Sequence, residues 1–223
     1  GSCSETAQQA GGEASEWSWG PVFLDVDLDG FEDILIGTGQ HRDFQDSDGA
    51  ERVAEAQRSG RTLSPARIQE LVRSLPRLVT PKIVFRNRGD ATFEEVGKAW
   101  GFGDASISQG MALADLDNDG DADVVMNQLF DGPGIYRNES SAPRLAVQLR
   151  GPAGNAAGIG ARVVFTPAAA SGKAVPAQSR QMIAGGRYLA GDQPRRSFAA
   201  GHGSAGRIEV FWPGGTVSIV SNA

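Results

Sequence analysis

The sequence predicts a mainly β fold: two repeated strand–loop–strand units with a short helical insertion, followed by an all-β C-terminal module. Three observations carry this reading. Thirty glycines in 223 residues demand many tight turns, which suits short strands better than long helices. One aspartate-rich segment occurs twice without gaps. The charge is also split, since residues 145–223 carry eight Arg and Lys against Asp192 and Glu209. A net charge of −6 therefore leaves −12 on residues 1–144, as expected of two modules with different surfaces.

Composition narrows the function classes. Hydrophobic residues are 40% and charged residues 22% of the chain, the balance of a globular protein with one or two domains. No apolar run approaches the ~20 residues of a membrane-spanning helix. Two histidines (His41, His202) and one cysteine, Cys3, exclude zinc fingers, iron–sulfur clusters and disulfide scaffolds. They also argue against a cysteine–histidine protease. The acidic half repels phosphate, so nucleic acid is not an expected partner.

Residues 1–16 lack hydrophobic periodicity and read as a flexible tether. Within it, Cys3 has two readings: the acylated cysteine of a lipid-anchored protein, or an incidental cysteine after a Gly-Ser cloning scar. Trp17 and Trp19 before the first strand read as packing residues rather than a sugar platform.

The repeat aligns Gly20-Pro-Val-Phe-Leu-Asp25-Val-Asp27-Leu-Asp29-Gly30-Phe31-Glu-Asp33 with Gly110-Met-Ala-Leu-Ala-Asp115-Leu-Asp117-Asn-Asp119-Gly120-Asp121-Ala-Asp123, each followed by an apolar triplet. Short flanks rich in Val, Ile, Leu and Phe predict a strand on each side of the loop. Oxygen ligands at positions 1, 3 and 5 project to one side of a tightly turning loop. Glycine at position 6 permits the reversal, and the backbone carbonyl at 7 adds a ligand, which is the logic of a calcium loop. An EF-hand would place Glu at position 12, where this chain has Ile36 and Met126. The last carboxylate comes instead from position 9. Two calcium sites are expected: Asp25, Asp27, Asp29, Asp33 with the carbonyl of Phe31, and Asp115, Asp117, Asp119, Asp123 with the carbonyl of Asp121. Carboxylates this close would repel by several kcal/mol without a cation. Magnesium suits such loops less, because it prefers fewer protein ligands.

A second sub-motif repeats downstream, Val84-Phe85-Arg86-Asn87 and Ile135-Tyr136-Arg137-Asn138. Its distance from the aspartate loop is 39 residues longer in the first copy, which marks an insertion at roughly 44–82. The insertion reads as helical: Ser64 is an N-cap, Pro65 sits at N1, and Ile68, Leu71, Val72 and Leu75 follow i, i+3, i+4, i+7. A second short helix is expected around Ala50–Gln57. In the C-terminal module, Leu145-Ala-Val147-Gln-Leu149 alternates as a strand, and Ile208-Glu-Val210-Phe-Trp212 ends at a Pro-Gly-Gly turn. Its basic residues, notably Arg195-Arg196, read as a solvated face in preference to a docking patch.

These motifs resemble the FG-GAP/VCBS repeat, whose blades build β-propellers with calcium in the blade loops. Phe85-Arg-Asn-Arg-Gly-Asp-Ala91-Thr-Phe93 is similar to that family's outer-strand turn, with Ala91 where glycine is usual. Gly158-Ile-Gly160-Ala-Arg162, Ser179-Arg-Gln, Pro194-Arg, Phe198 and Ile208-Glu-Val-Phe-Trp212-Pro213-Gly-Gly215 resemble the ASPIC/UnbV domain, although Phe198-Ala-Ala-Gly201 replaces the usual Phe-Gly-Leu-Gly. Together they resemble the cartilage-acidic-protein-like family. The resemblance implies propeller-type units over residues 17–141 and an ASPIC/UnbV-like domain over 142–223. Two aspartate loops are fewer than the about four to eight blades a closed propeller needs.

Several local signals are set aside. Arg88-Gly89-Asp90 lies in a repeat-specific turn, Asn138-Glu-Ser140 is a sequon that matters only in a eukaryotic secretory pathway, and Asp46-Ser-Asp48-Gly49 is too short for a third calcium loop. Gly201-His-Gly-Ser204 misses the spacing of a nucleophile elbow. Because the clustered carboxylates are assigned to metal loops, no enzyme is expected. The chain reads as a non-catalytic, extracytoplasmic calcium-binding scaffold or protein-interaction module, an accessory subunit on a membrane-associated complex with a protein partner. Its contact with the membrane would run through a lipid anchor at Cys3. The alternative is a glycan-binding or adhesion module of a larger β-propeller.

Overall fold

The computed structural model describes residues 4–58, 63–168, 174–203 and 206–223. Strand accounts for 36% and helix for 12%, without a closed barrel among the described residues; the fold is the mainly β one expected. Helix α1 (Ala7–Ala10) precedes strands β1 (Ser18–Leu24) and β2 (Asp33–Thr38). The insertion holds α2 (Ser47–Arg58) and α3 (Pro65–Ser74). Then come β3 (Thr80–Pro81), β4 (Ile83–Asn87), β5 (Phe93–Glu95), β6 (Ala105–Ser106), β7 (Ser108–Ala114), β8 (Asp123–Gln128) and β9 (Gly134–Tyr136). The remainder folds as β10 (Arg144–Val147), β11 (Arg162–Pro167), β12 (Gln178–Gln181), β13 (Arg196–Ala199), β14 (Gly206–Phe211) and β15 (Val217–Ser221).

Both repeats become antiparallel blades. The first has order β1-β2-β4-β5 and the second β7-β8-β9. The aspartate loop closes the first hairpin of each blade in the same register, Leu24 opposite Asp33 and Ala114 opposite Asp123. The second blade stops at three strands because the chain leaves it to form β10, which pairs with β13. Alternation along the strands sends Val22, Leu35, Val84, Met111, Leu113, Val124 and Met126 into one buried cluster with Phe102. A second cluster lies in the C-terminal module, where Val163 and Phe165 of β11, Ile208 and Val210 of β14, and Phe198 of β13 meet Val147, Leu149 and Met182.

Two expectations differ from the structure, the apolar stripe of α3 and the solvated basic face. Within residues 4–16, Ala7–Ala10 forms one helical turn, closed by Gly11 at φ 78°, whose N–H bonds back to its carbonyls. Cys3 lies outside the described residues. In the insertion, the Ser64 hydroxyl caps α3 by accepting the Arg67 N–H, and Leu71 and Leu75 are buried, but Ile68 is exposed. Only part of that apolar stripe has a surface to pack on. Several basic residues of the C-terminal module face the acidic blades instead of solvent. Arg195 meets Asp115 at 2.6 Å and Arg180 meets Glu32 at 3.0 Å.

Candidate metal centre

The two loops repeat the same backbone hydrogen bonds. Oδ1 of Asp25 accepts the Asp29 N–H (3.0 Å) and its Oδ2 the Gly30 N–H (2.9 Å). Asp115 does the same for Asp119 (3.1 Å) and Gly120 (3.0 Å). The turn needs left-handed backbone at two positions, Leu28 and Gly30 in the first loop, Asn118 and Gly120 in the second. Glycine carries the larger positive φ, 97° and 101°, at low cost. Position 9 locks the loop to its sheet. Asp33 accepts from the N–H groups of Val26 and Asn87, and Asp123 from those of Leu116 and Asn138, all within 2.7–2.9 Å.

This geometry explains the second repeated sub-motif, to which the sequence reading assigned no role. The asparagine of each Arg-Asn pair supplies the backbone N–H for position 9. The arginine pairs with position 3, Arg86 with Asp27 at 2.6 Å and Arg137 with Asp117 at 2.7 Å. The recurrence of Arg-Asn at matching places was the available signal. In the same strand end, the Asn138 side-chain amide donates to the Val26 carbonyl at 2.9 Å, so the sequon asparagine is engaged in joining the blades.

Carboxylate oxygens of Asp25, Asp27 and Asp29 lie within 4.8 Å of one another, as do those of Asp115, Asp117 and Asp123. Asp33 falls outside the first trio and Asp119 and Asp121 outside the second. Phe31 contributes its N–H to Asp29, while its ring packs on Gly89 of the Arg-Gly-Asp turn, where a Cβ would come within 2.8 Å.

The donor set fits a hard cation. Oδ1 of Asp27 is buried without a hydrogen-bond partner, and buried acceptors of this kind are rare unless something satisfies them; the buried Asp121 carboxylate also lacks a hydrogen bond but has Arg144 at 3.5 Å. Burial pushes the carboxyls of Asp25, Asp33 and Asp121 up to about 7. Asp27 is also raised, by burial and then by the neighbouring Asp29 charge. Asp119 goes the other way, lowered first by the Asp121 N–H and, despite some desolvation, by Arg144. Negative charge is thus concentrated where water is scarce, a condition that a bound cation relieves.

The loops border the junction of the two modules. A cavity of about 280 Å³ opens there, lined by Asp25, Asp115 and Asp121 on one side and by Arg180, Arg195 and Arg196 on the other. Gln193 fastens to the second hairpin: its N–H donates to the Leu113 carbonyl and its Oε1 accepts from Asp115, both at 2.9 Å. Trp19 donates to the Gly39 carbonyl at 2.6 Å and packs on Tyr188 with 5.2 Å between ring centroids. It is a packing residue, as expected.

A family model for the FG-GAP-like repeat matches residues 81–126, and one for ASPIC and UnbV matches residues 151–223. The chain therefore carries an FG-GAP-like repeat, running from the late strands of the first blade into the second, and a C-terminal ASPIC/UnbV domain. Both are β-rich modules of an extracellular, protein-interaction type. No curated protein matches the chain.

Proposed function

We propose that this protein is a non-catalytic, extracytoplasmic scaffold braced by two calcium ions, which presents its paired blades and ASPIC/UnbV domain to a protein partner. The observation that carries the reading is that two loops built on the same backbone hydrogen bonds each bring three carboxylates within 4.8 Å, at positions 1, 3 and 5 in the first and 1, 3 and 9 in the second. Asp25, Asp27, Asp29 and Asp33 with the Phe31 carbonyl would hold one ion. Asp115, Asp117, Asp119 and Asp123 with the Asp121 carbonyl would hold the other. Extracellular calcium is about millimolar, so a loop binding 100-fold below that level would add ~2.7 kcal/mol to stability. A non-catalytic role is supported by the engagement of the position 1 and position 9 carboxylates with backbone N–H groups of their own blades. Docking on a membrane-associated complex is the finer form of the proposal and rests on Cys3 as an acylation site.

The test is thermal unfolding of the chain in millimolar calcium and in chelator, with its mass in solution. Calcium should raise the midpoint by several degrees. An unchanged midpoint would remove both loops as metal sites.

A further inference from the structure

The two loops share a backbone but not a charge environment. In the first, Arg86 of the same blade reaches Asp27 at 2.6 Å and Asp29 at 3.9 Å. Among the described residues no guanidinium lies within ion-pair distance of Asp25. In the second, Arg137 repeats the contact of Arg86, and two more arginines arrive from downstream. Arg144 meets Asp119 at 2.8 Å and Asp121 at 3.5 Å. Arg195 meets Oδ2 of Asp115 at 2.6 Å, the oxygen that also accepts the Gly120 N–H. The same stretch docks the C-terminal domain: Gln193 accepts the Asp115 N–H, and the Ser197 hydroxyl donates to the Gly120 carbonyl at 2.7 Å.

Resting on the calcium reading above, we propose that a divalent cation in the second loop and the docking of the ASPIC/UnbV domain through Arg195 and Arg144 oppose each other. Occupation of the second loop then loosens the C-terminal domain. Asp115 would be a ligand of the ion and is already the counter-ion of a fixed guanidinium. A dication arriving beside that half-buried positive charge is repelled. Coupling of this kind is reciprocal: what docking takes from calcium affinity, calcium takes from docking.

Calorimetric titration of the full chain with calcium tests this in an Asp25→Asn background, which leaves the second loop to report. Arg195→Gln should tighten binding about tenfold, and Arg195→Lys, which keeps the charge, should not. Arg144→Gln should tighten it in the same direction and serves if Arg195→Gln fails to fold. As an independent readout, calcium should speed hydrogen exchange at the Gln193 amide in the wild-type chain. Unchanged or weaker binding in folded Arg195→Gln, or slower exchange at Gln193, overturns the coupling while leaving the calcium reading intact. A wild-type chain that gives no calcium heat overturns the calcium reading, and the coupling falls with it.

Discussion

Asp33→Asn separates a metal ligand from a structural carboxylate, because a ligand predicts a loss confined to calcium and a structural group predicts an equal loss with and without it. Asp33 is fully buried, and its oxygens accept N–H groups from Val26 (2.9 Å) and Asn87 (2.8 Å). Burial lifts its carboxyl from 3.8 to about 7. At pH 8 the folded chain therefore bears an ionised group over some three pH units, at ~1.4 kcal/mol each, so roughly 4 kcal/mol of penalty. Asparagine abolishes that penalty, but turns an NH₂ toward a backbone N–H, which costs about 3 kcal/mol including the lost charge assistance. In chelator the two nearly cancel, and the variant should melt within about 4 °C of wild type. In calcium the wild type gains ~2.7 kcal/mol at 100-fold saturation and the variant does not, so the variant should melt about 5–10 °C lower. Scanning calorimetry at pH 8 in both buffers reads this directly. Equal losses in both buffers would refute Asp33 as a ligand, and a large loss in chelator would refute the buried-charge reasoning.

Three further outcomes follow from the same structure. Asp25, Asp33 and Asp121 have folded values near 7, above 3.8. Between those values the folded chain holds protons that the unfolded chain has released, so stability in chelator should rise as pH falls from 7 toward 4; saturating calcium, which needs ionised ligands, should reverse the trend in urea midpoints. Phe198→Ala empties a fully buried position beside Phe165, 5.8 Å away between centroids, and should cost about 4 kcal/mol by denaturant unfolding. Ala91 holds φ 67° in the β4–β5 turn; Ala91→Gly should stabilise by about 0.5–1 kcal/mol, seen as a higher melting midpoint.

The aspartate loops, the strands beside them and the Ser64 cap were legible in the sequence because each depends on neighbours a few residues away. Spacing brings the first two aspartates of each loop together, and glycine at position 6 permits the turn, but whether position 5 or position 9 completes the cluster differs between the loops. The Arg-Asn sub-motif was visible as a repeat, yet its purpose was not, since Asn87 reaches Asp33 across 54 residues. The solvated basic face was misread for the same reason. Net charge says that the C-terminal domain is basic, but which arginine meets which carboxylate depends on how β13 packs beside the second hairpin.

The sequence by itself determined the blades and their aspartate loops, because hydrogen bonding within a turn of nine residues is local and spacing dictates it. The tertiary structure decided that the two loops are unequal. Asp115 and Gln193 are 78 residues apart, and no periodicity encodes their contact; burying Phe198 and Val147 in a shared core brings β13, and with it Arg195, onto the second loop.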